Sequence, residues 1–250
     1  MNEKVNVLGV EVDNVTMEQA VAKCAELACG ERARYVATPN AEIVYTCHKD
    51  PAAMEAVSSA ALIVPDGAGV VKASNMLGRP LKEKVAGVEL GENILPELVR
   101  LGKKLYILGA KPGVADRAAE NLMKKYPGLA VVGCRDGYFT DDDEVIKGIN
   151  ASNADVLFVC LGAPRQELWM NKHAGELTSV RLMLGLGGSV DIYAGDTERA
   201  PDFFVKHGLE WFYRLAKQPG RVGRIMKRLP PFISAVKKQR REEKKAAKNG

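Results

Sequence analysis

The stretch KLYILGAKPGVADRAAENLMKKYPGLAVVGC, residues 104–134, decides the fold. Lys104 to Leu108 is an apolar run of strand length, and Ala130 to Cys134 is a second. Between them, after Gly109-Ala110-Lys111-Pro112-Gly113, an amphipathic stretch runs to Tyr126, with Pro112 near its first turn, where a proline needs no N–H partner. Strand, glycine loop, helix, strand is the repeating unit of parallel sheets.

The same alternation extends outward in both directions. Further strand candidates are Val5 to Val12, read as a hairpin bent at Gly9, then Arg34 to Ala37, Ala61 to Val64, Asp155 to Leu161 and Arg181 to Leu186. Thr16-x-x-Gln19 reads as a capping box opening a helix. The expectation is a Rossmann-like α/β domain over residues 1–195, a mostly parallel sheet flanked by helices, without internal repeats. Beyond Gly195 the strand pattern stops and the text turns aromatic and basic: PDFFVKHGLEWFYRLAKQPGRVGRIMKRLPPFISAVKKQRR, residues 201–241. Pro219-Gly220 and Pro230-Pro231 divide this appendage, residues 196–250, into three predicted short helices, because proline blocks helix continuation.

Composition narrows the class. With 250 residues, 46% of them hydrophobic, the chain builds a substantial core. No run approaches the roughly 18 apolar residues of a membrane span, and MNEKVNVLGV lacks a signal-peptide layout, so a cytoplasmic protein is expected. The five cysteines, Cys24, Cys29, Cys47, Cys134 and Cys160, are odd in number and form no C-x-x-C, which suits reduced thiols and gives no zinc site. His48, His173 and His207 show no ligand spacing either. The net charge of +5 conceals an asymmetry: Ala216 to Gly250 holds 12 Lys/Arg against 2 Asp/Glu, and the remainder 24 against 29. A cationic arm follows an acidic body. Its last ten or so residues, REEKKAAKNG, have the composition of a solvated tail.

Ahead of that tail, Val222, Ile225, Met226 and Leu229 recur at helical spacing with Arg221, Arg224 and Arg228 on another face. Such a helix either docks its apolar face on the body or lies at a membrane surface, and an uncovered face would equally suit a second copy of the chain. No nucleic-acid motif accompanies the charge.

Ligands of open parallel sheets collect beyond the carboxyl ends of the strands, so the loops there carry the chemistry. Four stand out: Thr38-Pro39-Asn40-Ala41-Glu42, Pro65-Asp66-Gly67, Gly162-Ala163-Pro164-Arg165-Gln166-Glu167, and Gly185-Leu186-Gly187-Gly188-Ser189-Val190-Asp191. Asp66, between proline and glycine after a buried-looking strand, has the posture of a general base or of an Asx-turn residue. Thr38 and Asn40 belong either to a site or to a helix N-cap. Gly109 to Gly113 suits a phosphate or ribose loop as well as a tight turn. No Walker A loop and no G-x-S-x-G elbow is present, which argues against nucleotide hydrolysis and serine-hydrolase chemistry.

Taken together, these loops with Gly137-Tyr138-Phe139, Arg199-Ala200-Pro201 and Gly208-Leu209-Glu210-Trp211-Phe212-Tyr213-Arg214-Leu215 resemble the WecG/TagA/CpsF glycosyltransferases, glycosyltransferase family 26, in order and over nearly the whole chain. Within that family the likeness is greatest to the TagA type. The resemblance implies an inverting, metal-independent, cofactor-free transfer of N-acetylmannosamine from UDP-ManNAc to GlcNAc-diphospho-undecaprenol, forming a β-1,4 bond of the wall teichoic acid linkage unit. It implies Asp66 as the base, Thr38 and Asn40 orienting sugar hydroxyls beside it, and Gly109, Tyr138, Gln166, Gly187, Gly188, Ser189 and Asp191 at the nucleotide sugar. Lys84, Arg214, Arg221 and Arg224 would meet the lipid diphosphate at the inner face of the cytoplasmic membrane. Lys84 departs from the family pattern, which often has arginine there, and a lysine offers a point charge in place of a planar fork. Other UDP-sugars, namely UDP-ManNAc uronic acid, UDP-glucose or UDP-glucuronic acid, serve relatives of this kind. Outside the family, a nicotinamide-dependent oxidoreductase would need a glycine fingerprint after the first strand, which Val7-Leu8-Gly9-Val10-Glu11 lacks, and a non-catalytic membrane-binding module would need no Asp66.

Overall fold

The computed structural model describes residues 3–198 and 222–249, the side chains of the second span from residue 228 to residue 247. Lys4–Val7 (β1) and Val10–Asp13 (β2) form an antiparallel hairpin turned at Leu8 and Gly9, both with positive φ. A capping box at Thr16 and Gln19 opens Met17–Ala28 (α1), as the sequence predicts. Arg34–Ala37 (β3), Ala41–Lys49 (α2), Pro51–Ser58 (α3), Leu62–Ile63 (β4), Ala68–Leu77 (α4), Gly87–Asn93 (α5) and Leu95–Arg100 (α6) follow. The second half alternates Lys104–Gly109 (β5), Val114–Lys125 (α7), Ala130–Arg135 (β6), Asp142–Ser152 (α8), Val156–Cys160 (β7), Arg165–His173 (α9), Leu182–Gly185 (β8) and Ser189–Tyr193 (α10).

Strands β3 to β8 form one sheet in the order β4-β3-β8-β7-β5-β6, and every neighbouring pair is parallel. All of them except the edge strand β6, which is partly exposed, are buried on both faces and so read as continuous apolar runs rather than alternations. Along β7, Val156, Phe158 and Cys160 face one core, with α1, α5 and α7, while Leu157 and Val159 face another, with α8 and α9. The hairpin stays outside this sheet and ties to its edge, where Asp13 Oδ2 accepts the Ile63 N–H at 2.8 Å.

A third core lies between the hairpin, α2 and α4, and the C-terminal helix Val222–Asn249 (α11) closes it with Phe232 and Val236. Here the structure corrects the sequence reading. Pro230 and Pro231 lie inside one helix and do not divide it; that helix runs on to Asn249, with the side chains of residues 241–247 exposed to solvent as their composition implies. Proline forfeits hydrogen bonds to the preceding turn, but the burial of Phe232 (2% exposed) and Val236 (0%) immediately beyond fixes the helix from its other side. Polar ties extend the docking: Gln239 accepts from the Leu8 N–H and donates to the Asn6 carbonyl, Arg228 pairs with Glu42 at 2.9 Å, and Arg79 with Glu243 at 2.7 Å. The docked reading of the basic helix therefore holds from Arg228 to Glu243.

All five cysteines are free thiols. Burial pushes Cys24, Cys47 and Cys134 up to about 12 and raises Cys160 as well. Cys29 alone is exposed.

Candidate active site

Because all six sheet strands run the same way, the loops after them gather at one edge, and hydrogen bonds stitch neighbouring loops together. The Asp66 N–H donates to the Pro39 carbonyl at 3.3 Å, joining the β4 and β3 loops. Thr38 Oγ1 donates to the Gly185 carbonyl at 2.7 Å, joining β3 to β8. Leu186 N–H donates to Val159 O, Ala110 N–H to Cys160 O and Gly137 N–H to Ala110 O, carrying the seam through β7 and β5 to β6. Across five strand spacings the edge measures about 24 Å.

At the β4-β3-β8 end, the structure brings four predicted residues together. Asp66 is half-buried at the close of β4, and Gly67, which carries no side chain to cap with, stands at the N-cap of α4. Asn40 caps α2: its Oδ1 accepts from the N–H groups of Glu42 (2.9 Å) and Ile43 (3.2 Å), which leaves the Nδ2 amide as its donor. α2 and α4 can start side by side because position 69 is glycine; a Cβ there would come within 2.8 Å of the Ala41 Cβ. Thr38 is 4% exposed, and its hydroxyl proton is spent on Gly185. Lys84 reaches this corner through its neighbour, since the Val85 N–H donates to the Pro65 carbonyl at 3.0 Å and Gly87 packs on Thr38.

The glycine loop after β8 follows. Gly187 has φ +52 and donates its N–H to Gln166 Oε1 at 2.9 Å. Ser189 is buried, and its hydroxyl donates to the Leu186 carbonyl at 2.7 Å, closing the loop on itself; Asp191 lies one turn on, half-buried. Gln166 is 2% exposed and faces inward, its Nε2 donating to Glu167 Oε1 at 2.9 Å. Both ends of its amide therefore serve the scaffold.

Toward β6 the site changes character. Gly109 has φ +130, and a Cβ there would meet the Cys160 carbonyl group at 2.4 Å, so a glycine is required for the β5 turn to cross β7. Tyr138 is 71% exposed on a braced loop: its N–H bonds Asp136 Oδ1 at 2.8 Å, while Arg165 donates to the Gly137 carbonyl at 2.7 Å and stacks on the Phe139 ring. An uncovered aromatic ring on a rigid support suits a flat ligand. The two groups lie at opposite ends of the edge, so only an extended ligand would touch both.

Sequence reading missed the clamps: Arg165 on Gly137, Gln166 on Gly187, and the Pro65–Val85 bond that fetches Lys84. None has a local signature, since each joins residues at least 20 positions apart. It also missed the tie between α8 and α9, where buried His173 sits 3.0 Å from both Asp142 and Glu176. Arg214 and Arg221 lie outside the described residues, as does the side chain of Arg224.

A sequence model of the "Glycosyl transferase WecG/TagA/CpsF family" matches residues 5–246. The chain belongs to that family. Its membership covers the sheet, the loop edge and most of α11, and identifies the protein as a glycosyltransferase. A protein of Bacillus spizizenii (strain ATCC 23059 / NRRL B-14472 / W23) named "N-acetylglucosaminyldiphosphoundecaprenol N-acetyl-beta-D-mannosaminyltransferase" is 36% identical over 211 residues, 84% of this chain and 81% of its own length. A protein of the same name from Staphylococcus aureus (strain MRSA252) is 35% identical over 245 residues, 97% of this chain and 96% of its own. For this WecG/TagA/CpsF member, the loop edge is thus the candidate seat of transfer.

Proposed function

We propose that this glycosyltransferase moves N-acetylmannosamine from UDP-ManNAc to GlcNAc-diphospho-undecaprenol, forming a β-1,4 bond of the wall teichoic acid linkage unit with inversion and without a metal. The observation that carries the reading is the corner where Asp66, Asn40, Thr38 and the Lys84 segment meet at the carboxyl edge of a parallel sheet, in a chain whose relatives bear that activity's name. Asp66 takes the proton of the acceptor's 4-hydroxyl as its oxygen attacks the anomeric carbon. The bond from that carbon to UDP breaks on the opposite face, and UDP leaves with the electron pair. The Asn40 Nδ2 amide orients a sugar hydroxyl, and Thr38 holds the β8 loop at the right height. The glycine loop of Gly187, Gly188 and Ser189, together with Gly109, Tyr138 and Asp191, receives the nucleotide, and fixed backbone donors stabilise the departing diphosphate. Gln166 acts on the nucleotide through the loop that it holds.

Residues 1–195 form the catalytic unit in this reading, and 196–250 a basic appendage whose Arg214, Arg221 and Arg224 join Lys84 at the lipid diphosphate. Docking at the inner face of the membrane is supported by α11. On the helical wheel, Ile233, Lys237, Arg240, Arg241 and Lys244 share a face that contains no acidic residue, beside an open groove of about 540 Å³ that includes Met76. No helix among the described residues is long and apolar enough to cross a membrane.

Incubating the protein with UDP-ManNAc and a GlcNAc-diphospho-polyprenol, and weighing the lipid product, tests the reading. Wild type adds one N-acetylhexosamine mass, and Asp66→Asn binds UDP but adds none. Transfer from a different UDP-sugar would replace the donor, and full transfer by Asp66→Asn would remove Asp66 from the chemistry.

A further inference from the structure

Among the described residues, two buried side-chain oxygens lack a hydrogen-bond partner: Glu167 Oε2 and Ser179 Oγ. Glu167 stands directly behind the proposed site. It is 1% exposed, on the first turn of α9, and its Oε1 accepts from Gln166 Nε2 at 2.9 Å. Gln166 Oε1 in turn accepts the Gly187 N–H at 2.9 Å. A carboxyl group, a buried amide and the glycine loop thus form one relay. The Gln166 amide also lines Gly185, where an added Cβ would come within 3.1 Å of Nε2, and Gly185 is the residue whose carbonyl anchors Thr38.

The relay has a direction. An amide can face Gly187 with its oxygen only if its nitrogen finds an acceptor on the other side. Turned over, Nε2 would meet the Gly187 N–H, donor against donor. Glu167 Oε1 is the acceptor that forbids the turn. We propose that Glu167 is a positioning residue for sugar transfer, setting through Gln166 the orientation of the Gly187 amide and hence the shape of the loop that receives the donor nucleotide.

At 1% exposure Glu167 acts through Gln166 and not on the substrate itself. Tyr35 from β3 and Cys47 from α2 both sense its charge, and burial first of all pushes each up to about 12, so both are neutral at pH 7. Asp50, at the α2–α3 junction, acts on Cys47; Glu55 of α3 and Arg34 of β3 act on Tyr35. Glu167 is raised above the usual carboxylate range by burial, and what opposes that shift is the Gln166 amide and backbone hydrogen bonding rather than a cation. A glutamine at position 167 is the same shape and neutral, and its carbonyl can take the place of Oε1.

This inference rests on the proposed transfer reaction, so the test has one arm that does not. Hydrogen exchange at the Gly187 amide, read without substrate, should quicken in Glu167→Ala and return to the wild-type rate in Glu167→Gln. Donor kcat/KM should fall about 10- to 100-fold in Glu167→Ala, the scale of a small misplacement near the reacting atoms, and recover in Glu167→Gln. Glu167→Ala should add no further loss in a Gln166→Ala background, which separates the relay from general destabilisation. Wild-type exchange at Gly187 in Glu167→Ala, a Glu167→Gln as impaired as Glu167→Ala, or additive losses in the double variant would each overturn the proposal. Absence of ManNAc transfer by the wild type would instead overturn the function reading, and exchange at Gly187 would still decide the relay.

Discussion

Replacing Thr38 by valine separates its role as a strut from any direct role at the sugar. The Thr38 hydroxyl donates to the Gly185 carbonyl at 2.7 Å from a side chain that is 4% exposed, spanning the β3 and β8 loops. Valine fills the same volume but cannot donate, so a buried carbonyl loses that donor, a loss of about 1–3 kcal/mol. For a chain of this length that is a fall in Tm of roughly 3 to 9 °C. Serine keeps the donor and removes one methyl group, a cost of about 1 kcal/mol. Differential scanning calorimetry and ManNAc transfer, measured on both variants, give the comparison. Thr38→Val should lose Tm by that amount and, with the glycine loop displaced by a fraction of a strand spacing, about 100-fold in kcat/KM. Thr38→Ser should keep transfer close to wild type and lose only about 2–4 °C, the cost of one methyl group. An unchanged Tm in Thr38→Val would refute the strut, and a Thr38→Ser that melts within that range but loses transfer would show that the γ-methyl, and not the bond to Gly185, is what the reaction needs.

Two further outcomes test the scaffold. Phe232→Ala removes the largest buried side chain of α11, a change that costs about 3–5 kcal/mol in a packed core; trypsin should then cut the Lys/Arg-rich helix far sooner than in wild type, and equal cleavage rates would refute the docking. Burial raises Asp142, but hydrogen bonds from Lys172 and His173, the His173 charge and the Trp169 N–H outweigh this and hold it below the usual aspartate range. A carboxyl depressed on folding stabilises the fold above its unfolded pKa and loses that contribution as pH falls through the folded value. Asp142→Asn should therefore melt below wild type at pH 7, with the gap narrowing in acid, and a gap that widened as pH fell would refute the sign.

Much of this architecture was legible locally. Strand candidates and observed strands agree to within a residue or two, because apolar runs of strand length and the glycines that end them are properties of neighbouring residues. The capping box at Thr16 and the N-cap at Asn40 were equally local. Where local rules met long-range packing they failed: the Pro230-Pro231 pair signals a break, but Phe232 and Val236 have a core to enter, and burial outweighs the lost bonds. Motif membership similarly selected Gln166 without revealing that both ends of its amide point inward.

By itself, then, the amino-acid sequence determined a parallel α/β domain, the loops after its strands that make the candidate site, a basic C-terminal arm and a family, because periodicity, turn chemistry and charge are written within short windows. The order β4-β3-β8-β7-β5-β6 was decided only by tertiary structure. That order sets Thr38 against Gly185 across 147 positions of chain and brings Gln166 against the Gly187 amide. Contacts of this kind depend on burial and on hydrogen-bond partners that become neighbours only when the sheet has formed, which is why no window of sequence contains them.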